Sequence, residues 1–316
     1  MAWSERSHSF ALLGTACVAS QKRRGRFIVG RRLDVFESAA DRGLAKRGVA
    51  LMGVCNVTPD SFSDGGRYLG VTEARARVDE LLAEGADLVD IGGESTRPGA
   101  APVPPKEQLA RVLDVVKHAA DRGACVSIDT TSPEVAAACL DAGACAVNDV
   151  SCLREDDLAK VVASSGAALV IMHTRGTQAE MKGFSEYPDD AYGDDVLGSV
   201  IQEWRMAAGR ARAAGLTDGA IWMDPGLGFA KNARHSMEIL RHIGRLEASF
   251  PHKVVLGASR KSFLKLVDTA AAPEERIGAS IAAAVHASGA VDMLRVHDVR
   301  ATAQAIDLTR ILQKGP

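Results

Sequence analysis

Residues Met52–Gly66 read MGVCNVTPDSFSDGG and hold the clearest clue to the architecture of this 316-residue chain. The segment continues an apolar run, Val49–Val54, and then becomes abruptly polar. Pro, Gly, hydroxyl and carboxylate residues interrupt regular secondary structure, so the pattern predicts a buried strand that ends in a polar loop. A solvated surface turn would explain this loop taken alone. Seven further strand ends look alike, and this repetition favours a shared site.

Apolar strands and amphipathic helices alternate through the rest of the chain. In one predicted helix, for example, Leu109, Val112 and Val116 repeat at the spacing of a single helical face. The strands are predicted at Val49–Val54, Leu88–Ile91, Ala124–Ile128, Cys145–Val147, Ala168–Met172, Ile221–Met223, Val254–Leu256 and Val291–Val296. The helices are predicted at Glu73–Glu84, Lys106–Arg122, Pro133–Ala142, Asp156–Ser165, Asp190–Ala214, Arg234–Arg245, Glu274–Ser288 and Val299–Leu312.

This alternation predicts a (β/α)8 TIM barrel. Continuous apolar strands separated by helices indicate a parallel sheet that is buried on both faces. Eight such units fit a closed barrel, and an open doubly wound sheet is the alternative. The open sheet is less favoured because no GxGxxG motif follows a strand to bind a dinucleotide. We assign residues 48–316 to the barrel and residues 1–47 to an N-terminal extension.

The extension, residues 1–47, is rich in Arg and Lys and shows little periodicity. We predict that it is partly ordered, with a short strand at Phe27–Val29 and a part that closes the bottom of the barrel. An arm that binds nucleic acid or a partner is the alternative. The whole chain, however, has a net charge of -2 and therefore no overall basic field for nucleic acid.

Composition and targeting signals point to the cytoplasm. Hydrophobic residues make up 47% and charged residues 25% of the chain, as in ordinary globular proteins. The apolar segment Phe10–Val18 is too short to span a membrane and is a poor signal sequence. We interpret the cysteines as small buried side chains in a reducing compartment, with a zinc site or disulfide framework as the alternative. They are Cys17, Cys55, Cys125, Cys139, Cys145 and Cys152.

Four polar residues lie inside or at the ends of the predicted apolar strands. They are Asp129, Asn148, Asp224 and Arg295. Each requires a partner, because burial of an unpaired polar group costs several kcal/mol. One alternative is that they pair with one another in a structural network, for example Arg295 with Asp224. The other is that they bind a flat heterocycle, with Lys261 as a further donor, since carboxylates and amides match the edge of an aminopyrimidine ring.

A second set of residues at the strand ends suits anions. It comprises Thr96, Arg97, Ser259, Arg295 and His297. Asn56 and Asp64 offer oxygen ligands for Mg²⁺, which keeps several waters and shares phosphate oxygens. A heterocycle, a polyphosphate and magnesium together indicate a pyrophosphate leaving group.

The chain resembles the dihydropteroate synthase family. The resemblance rests on motifs that follow one another along the whole barrel. They are MGVCNVTPDSFSDGG, DIGGESTRPG at Asp90–Gly99, SIDT at Ser127–Thr130, VNDV at Val147–Val150, MHTRGT at Met172–Thr177, DPGLGFAK at Asp224–Lys231, GASRKSF at Gly257–Phe263 and RVHD at Arg295–Asp298. Cys55 and Ala230 depart from residues common in the family, and the extension lies outside its pattern.

The resemblance implies a (β/α)8 transferase of folate biosynthesis that joins 6-hydroxymethyl-7,8-dihydropterin diphosphate to 4-aminobenzoate and releases pyrophosphate. It implies a pterin site at Asp129, Asn148, Met172, Asp224, Lys261 and Arg295, and a diphosphate site at Asn56, Arg295 and His297, with Mg²⁺ on Asn56. It implies a 4-aminobenzoate site, at which sulfonamides compete, at Phe62, Thr96, Arg97, Pro98, Phe229 and Ser259. The catalytic residues it implies are Asp64, Arg97, Asp129 and Lys261, with the loop Asp60–Asp64 closing over the site.

Three other functions are alternatives to the synthase. A pterin-binding methyltransferase module with a corrinoid partner is less favoured because the SRKS and TRPG segments match the synthase pattern. A noncatalytic paralogue and a barrel with an unrelated substrate are the others. The resemblance also implies a homodimer. Apolar positions on the last two predicted helices, which we expect to be exposed, would suit such an interface: Ile281, Val285, Ile306, Leu308 and Ile311.

Overall fold

Eight parallel strands form a ring in the computed structural model, which describes residues 31–58, 66–95, 100–177, 187–249 and 251–314. The strands are β1 Ala50–Asn56, β2 Leu88–Gly92, β3 Val126–Asp129, β4 Ala146–Asp149, β5 Ala168–Met172, β6 Ile221–Asp224, β7 Val255–Leu256 and β8 Met293–Val296. Their order is β6-β5-β4-β3-β2-β1-β8-β7, and a parallel bridge between Met223 and Val254 joins the two ends. The predicted (β/α)8 barrel is therefore confirmed, and the open sheet is excluded.

Helices cover the outside of the ring. They are α1 Arg31–Arg47, α2 Gly66–Ala83, α3 Pro105–Asp121, α4 Pro133–Asp141, α5 Asp156–Ser165, α6 Val196–Ala213, α7 Ala233–Arg241, α8 Gly244–Glu247, α9 Ile277–Ala287 and α10 Val299–Lys314. The largest differences are at two helix starts: α2 begins at Gly66, before the predicted Glu73, and α6 begins at Val196, after the predicted Asp190. Helix α6 begins later because the Asp195 side chain accepts a hydrogen bond from Gly198 N at 3.0 Å and caps the helix there.

The barrel interior changes from apolar to charged along the strand direction. Strand register places alternate residues of neighbouring strands on the same inward face. The lower layers contain Ala50, Met52, Leu88, Ala146, Ala168, Val170, Trp222, Val255 and Met293. The layer at the carboxyl ends contains Asp90, Asp129, Asn148, Asp224 and Arg295. The site therefore lies where active sites of this architecture are found, and the apolar layers form its base.

Helix α1 packs across the amino-terminal ends of the strands. Phe36 is fully buried there with Ala39 and Ala40, and its ring meets Trp222 edge-on at 5.1 Å between centroids. At the carboxyl end of the helix, buried Arg47 pairs with Asp87. The second half of the extension therefore belongs to the core of the barrel. Phe27–Val29 lies outside the described residues, so that strand and the domain division stay predictions.

Replacing Phe36 with alanine should lower the free energy of unfolding by about 3–5 kcal/mol, because the cavity left under the barrel cannot be filled by its rigid strands. Urea denaturation followed by circular dichroism measures this loss. Val35, its neighbour on the same helix, is 45% exposed, and Val35→Ala is the matched control with a change below about 0.5 kcal/mol. Equal effects of the two substitutions would show that α1 does not close the barrel.

The predicted apolar faces of the last two helices are only partly exposed. Leu308 and Ile311 lie on the surface of α10, but Ile306 is buried, so its prediction as an exposed residue was wrong. It points inward because it follows Val299 and Thr302 along the buried face of the helix. Of the described cysteines, Cys152 is half-buried and the other four are buried, all with free thiols. Among the described helices, none has the length and apolarity needed to cross a membrane.

Candidate active site

Arg295 is the centre of a buried charge cluster at the carboxyl ends of the strands. Its Nε donates to Asp90 Oδ2 at 2.7 Å, and its Nη2 donates to Asp129 Oδ2 at 2.9 Å. Asp90 Oδ2 also accepts from Asn148 Nδ2 at 3.1 Å. Arg295 thus pairs with Asp90 and Asp129 and not with Asp224, the partner that the structural alternative suggested. Four strands contribute to this cluster.

Asp224 and Lys261 approach Arg295 from the other side of the barrel mouth. A Cβ atom built on Gly257 would lie 3.6 Å from Asp224 Oδ2, 3.7 Å from Lys261 Nζ and 3.9 Å from Arg295 Cβ. The three side chains therefore converge on the space beside Gly257. A glycine at this position leaves that space open for a ligand.

Two oxygens of the cluster have no hydrogen-bond partner among the residues that the structure describes. They are Asp90 Oδ1 and Asp129 Oδ1, and both are buried. A buried acceptor without a partner costs about 1–3 kcal/mol. The cluster is therefore only partly satisfied by the protein, which favours ligand binding over a purely structural network. This is the observation that separates the two alternatives left open by the sequence.

The pKa values of the cluster are shifted by burial and by its own charges. Burial raises the pKa of Asp129 to about 7, although the neighbouring Arg295 guanidinium opposes the shift. Burial also raises the pKa of Asp224, against the effect of Lys261. The pKa of Lys261 is lowered to about 8 by burial, with Asp224 opposing. Burial would lower the pKa of Arg295, but Asp90 and Asp129 raise it, so Arg295 is the permanent cation of the site.

The loop after β6 is fixed by the buried lysine Lys231. Its Nζ lies 2.9 Å from His173 Nδ1 and donates to Phe229 O at 3.0 Å and to Gly226 O at 3.1 Å. Gly226 has a φ of +66°, and a Cβ there would lie 2.0 Å from His173 O, so only glycine fits. Lys261 donates to Leu227 O at 2.6 Å in the same loop. The loop thereby holds the Phe229 ring 4.5 Å from Lys261 Nζ.

His173 connects this loop to helix α6. Glu203 is a carboxylate acceptor 3.1 Å from His173 Nε2, so Nε2 carries the proton and His173 Nδ1 accepts from Lys231 Nζ. Burial and Lys231 lower the pKa of His173 to about 4, so the ring is neutral. Burial also lowers the pKa of Lys231 to about 7. Arg175 pairs with Glu203 and completes the network. His173 shapes the base of the site, as the sequence suggested.

The turn that carries Ser259 and Lys261 is held in a strained conformation. Arg260 between them has a φ of +61°, in the left-handed region that non-glycine residues avoid. Its side chain forms a two-point ion pair with Asp298 at 2.6 and 3.1 Å. Ser259 Oγ accepts from His297 N at 3.2 Å and lies 3.1 Å from His297 Nδ1. The residues predicted to bind aminobenzoate and diphosphate are thus adjacent here. Burial, Arg295 and Arg260 lower the pKa of His297 to about 3.

The structure places most of the predicted site residues at one end of the barrel. Asn56 is exposed at the end of β1, and Met172 is buried at the end of β5 beside Gly226. Asp129, Asn148, Asp224, Lys261 and Arg295 converge as described above. The remaining predictions lie outside the described residues and stay predictions: Phe62, Asp64, Thr96, Arg97 and Pro98.

Sequence reasoning missed Asp90 and the buried Lys231. Asp90 lies inside the apolar strand LVDIG, which is the same signal that identified Arg295, and it was therefore detectable. Lys231 ends the segment DPGLGFAK, whose proline and two glycines indicate a loop, and a lysine in a loop is usually solvated, so its burial could not be anticipated.

Asn56 fits the binding mode of magnesium in part. The residue is exposed at the end of β1, and Mg²⁺ is often bound by one or two protein oxygens together with substrate phosphates. Within the described ranges, no group of three or more His, Cys, Asp or Glu residues could hold a metal on its own. The donor set therefore suits a metal that arrives with a phosphate ligand, and the role of magnesium stays a prediction.

Comparisons with known proteins agree with this geometry. A family model described as pterin binding enzyme matches residues 52–297. The dihydropteroate synthase of Mycobacterium leprae (strain TN) is 43% identical over 277 residues, which cover 85% of this chain and 95% of that protein.

Solved structures agree as well. The Xanthomonas albilineans dihydropteroate synthase with 4-aminobenzoic acid matches with a TM-score of 0.76 at 38% identity, over 85% of this chain and 94% of that one. Its complex with 7,8-dihydropteroate matches with a TM-score of 0.74 at 35% identity, over 85% and 95% of the two chains. These structures share both the barrel and most of its length with this chain.

Proposed function

We propose that this chain, which belongs to the pterin-binding enzyme family and is similar to dihydropteroate synthases over most of its length, is a transferase of folate biosynthesis. It condenses 6-hydroxymethyl-7,8-dihydropterin diphosphate with 4-aminobenzoate to give 7,8-dihydropteroate and pyrophosphate. The similar Xanthomonas albilineans enzyme has been solved with 4-aminobenzoic acid and with 7,8-dihydropteroate.

One observation carries the proposal. Asp224, Lys261 and Arg295 converge beside Gly257, Arg295 pairs with Asp90 and Asp129, and one oxygen of each of these two carboxylates has no hydrogen-bond partner among the described residues. A planar ring with several N–H donors and one carbonyl acceptor would satisfy such a set. We assign Asp129, Asn148, Asp224 and Lys261 to the pterin ring. Arg295 lies beside them and extends toward the diphosphate together with His297.

The reaction follows a dissociative substitution. The C–O bond between the pterin methylene and diphosphate breaks, and its electron pair leaves with the diphosphate. The resulting cation is delocalised into the electron-rich dihydropterin ring, where the anionic form of Asp129 stabilises it. Arg295 stabilises the departing negative charge. The amino nitrogen of 4-aminobenzoate then forms the C–N bond and releases a proton. No covalent enzyme intermediate is needed, because positioning alone contributes about 7–11 kcal/mol.

Asn56 would hold magnesium through its amide oxygen, with the remaining ligands from water and diphosphate. When bound there, the metal neutralises phosphate charge. Asn56 itself is fixed at the end of β1, where it pairs in register with Gly92, and a Cβ on Gly92 would lie 3.7 Å from Asn56 Oδ1 and 3.3 Å from Asp129 Cβ. This proximity supports a diphosphate site close to Asp129.

The test is pyrophosphate release by the purified chain. The dihydropterin diphosphate is supplied with and without 4-aminobenzoate and with and without Mg²⁺, and dihydropteroate is identified by mass spectrometry. We expect release that requires the aminobenzoate and falls when the metal is chelated. Release that is independent of aminobenzoate would contradict the transferase, and methyl transfer from a methylated pterin to a corrinoid would favour the methyltransferase alternative.

We also propose that the chain is a cytoplasmic homodimer that associates through α10. Leu308, Ile311 and Leu312 are 57%, 66% and 73% exposed on this helix, a larger apolar surface than a solvated helix needs. Leu308→Glu combined with Ile311→Glu should shift sedimentation from dimer to monomer, because the interface would have to bury two charges. Gln304→Glu combined with Gln313→Glu, both exposed on the same helix, is the charge-matched control. A wild-type chain that sediments as a monomer would refute the dimer.

A further inference from the structure

Asp90 is a fully buried carboxylate that contacts two binding residues and has no assigned role of its own. Its Oδ2 accepts from Arg295 Nε at 2.7 Å and from Asn148 Nδ2 at 3.1 Å. It lies in the middle of β2, paired in register with Ser127 of β3, on the inward face of the barrel. One oxygen thus receives both donors.

The contact with Asp90 fixes the orientation of the Asn148 amide. The two ends of an amide are distinguished only by their hydrogen-bond partners. Beside the Arg295 guanidinium, the Asp90 carboxylate acts as an acceptor, and an acceptor can be matched only by the amide nitrogen. Asn148 Nδ2 is therefore directed at Asp90, and Asn148 Oδ1 is left as an acceptor for another group.

This orientation defines what the ligand must offer. Asn148 pairs in register with Asp129, so the two side chains lie side by side on the inward face. With Asn148 Oδ1 as an acceptor, this side of the site presents acceptors from two neighbouring strands. A ligand edge that carries an amino group matches it, whereas an edge that carries a carbonyl oxygen places acceptor against acceptor.

We propose that Asp90 is a positioning residue that sets the ring specificity of this site, by holding the Asn148 amide in the orientation that accepts from a ligand amino group. The inference rests on the proposed function, since it concerns the pterin ring. It goes beyond it because it assigns to Asp90, acting through Asn148, the choice between amino and oxo heterocycles.

The probes are pterin and lumazine, its counterpart with a carbonyl in place of the amino group, and the measurement is the dissociation constant of each by isothermal titration calorimetry. In Asp90→Val, which keeps a similar shape without polar atoms, the Asn148 amide loses the acceptor that fixes it and is free to turn around. We expect pterin affinity to fall about tenfold, as for one lost hydrogen bond, and the preference for pterin over lumazine to fall by about the same factor.

Two further variants distinguish specificity from damage to the barrel. Ser127→Ala removes the register neighbour of Asp90 and is expected to leave the pterin preference unchanged. In the double variant Asp90→Val/Asn148→Asp, a carboxylate at position 148 offers the ligand an acceptor in either orientation, and it should restore most of the preference. If Asp90→Val alone does not fold, the double variant still carries the test, with restored preference as the supporting result.

The outcomes separate this inference from the proposed function. A wild-type chain that binds neither ring would contradict the function itself. A wild-type chain that prefers pterin, combined with an Asp90→Val variant that weakens the binding of both rings equally, would overturn the role of Asp90. So would a double variant that folds but shows no preference for pterin.

Discussion

Arg295→Met should lower the free energy of unfolding by about 3–5 kcal/mol at neutral pH, because it leaves two buried carboxylates without their cation. Arg295 is the shared partner of Asp90 and Asp129, at 2.7 and 2.9 Å, and both carboxylates are buried. Methionine fills a similar volume with an apolar chain, so the loss reports on charge rather than on a cavity. Urea denaturation at constant salt measures it.

The loss should depend on pH in a defined direction. Burial already raises the pKa of Asp129 to about 7, and Arg295 is the group that opposes this rise. Without Arg295 the folded pKa rises further above the unfolded value of about 4, so the folded state binds protons more tightly than the unfolded state. Stability of the variant therefore falls as pH increases, and the difference from wild type is smaller at pH 5 than at pH 8.

Arg300→Met is the matched control, because Arg300 is exposed on α10 and its removal leaves the buried cluster intact. We expect a change below about 0.5 kcal/mol at either pH. A loss for Arg295→Met that is the same at both pH values would mean that the carboxylates do not carry the effect, and that the cluster is held together by packing.

The barrel could be predicted from sequence because its determinants are local. Ala168–Met172 and Asp156–Ser165 were predicted with the bounds that the structure shows, since an apolar run and an amphipathic run are unambiguous over such lengths. The errors lie at helix ends, where a tertiary or capping contact determines the residue at which the helix begins or ends. The Asp195 cap of α6 and the 3₁₀ turn Pro273–Arg276 before α9 are two such cases.

The sequence could predict only those site residues that are charged and lie within or at the end of an apolar strand. Asp129, Asp224 and Arg295 were found in this way, and Asp90 carries the same signal. The pairing of these charges was not predictable, because it depends on which strands are neighbours around the ring. The Lys231–His173–Glu203 network joins two loops and a helix, so no local pattern indicates it.

Asp129→Asn is the substitution that should affect catalysis most. We expect kcat to fall by about 10²–10³-fold, the size of effect that follows loss of one preorganised electrostatic group. The dissociation constant of the pterin substrate should change much less, because the asparagine still offers an acceptor to the ring. Steady-state kinetics of pyrophosphate release, with calorimetry on a nonreactive pterin, separates the two quantities.

The wild-type pH profile gives an independent check. Only the anionic form of Asp129 can stabilise a developing cation, and burial raises its pKa to about 7. Activity should therefore rise with pH through about 7, and this limb should be absent from Asp129→Asn. Asp121→Asn, an exposed carboxylate at the end of α3, should keep both the limb and the turnover of wild type.

The two measurements together test the charge of the transition state. If the reaction passed through direct displacement by the amine, little positive charge would develop on the pterin ring, and Asp129 would act only as a ring-binding acceptor. Its removal would then weaken pterin binding and turnover to a similar degree. A large loss in kcat with little change in affinity, together with the missing pH limb, is expected only when the carboxylate stabilises a cation that forms before the new C–N bond.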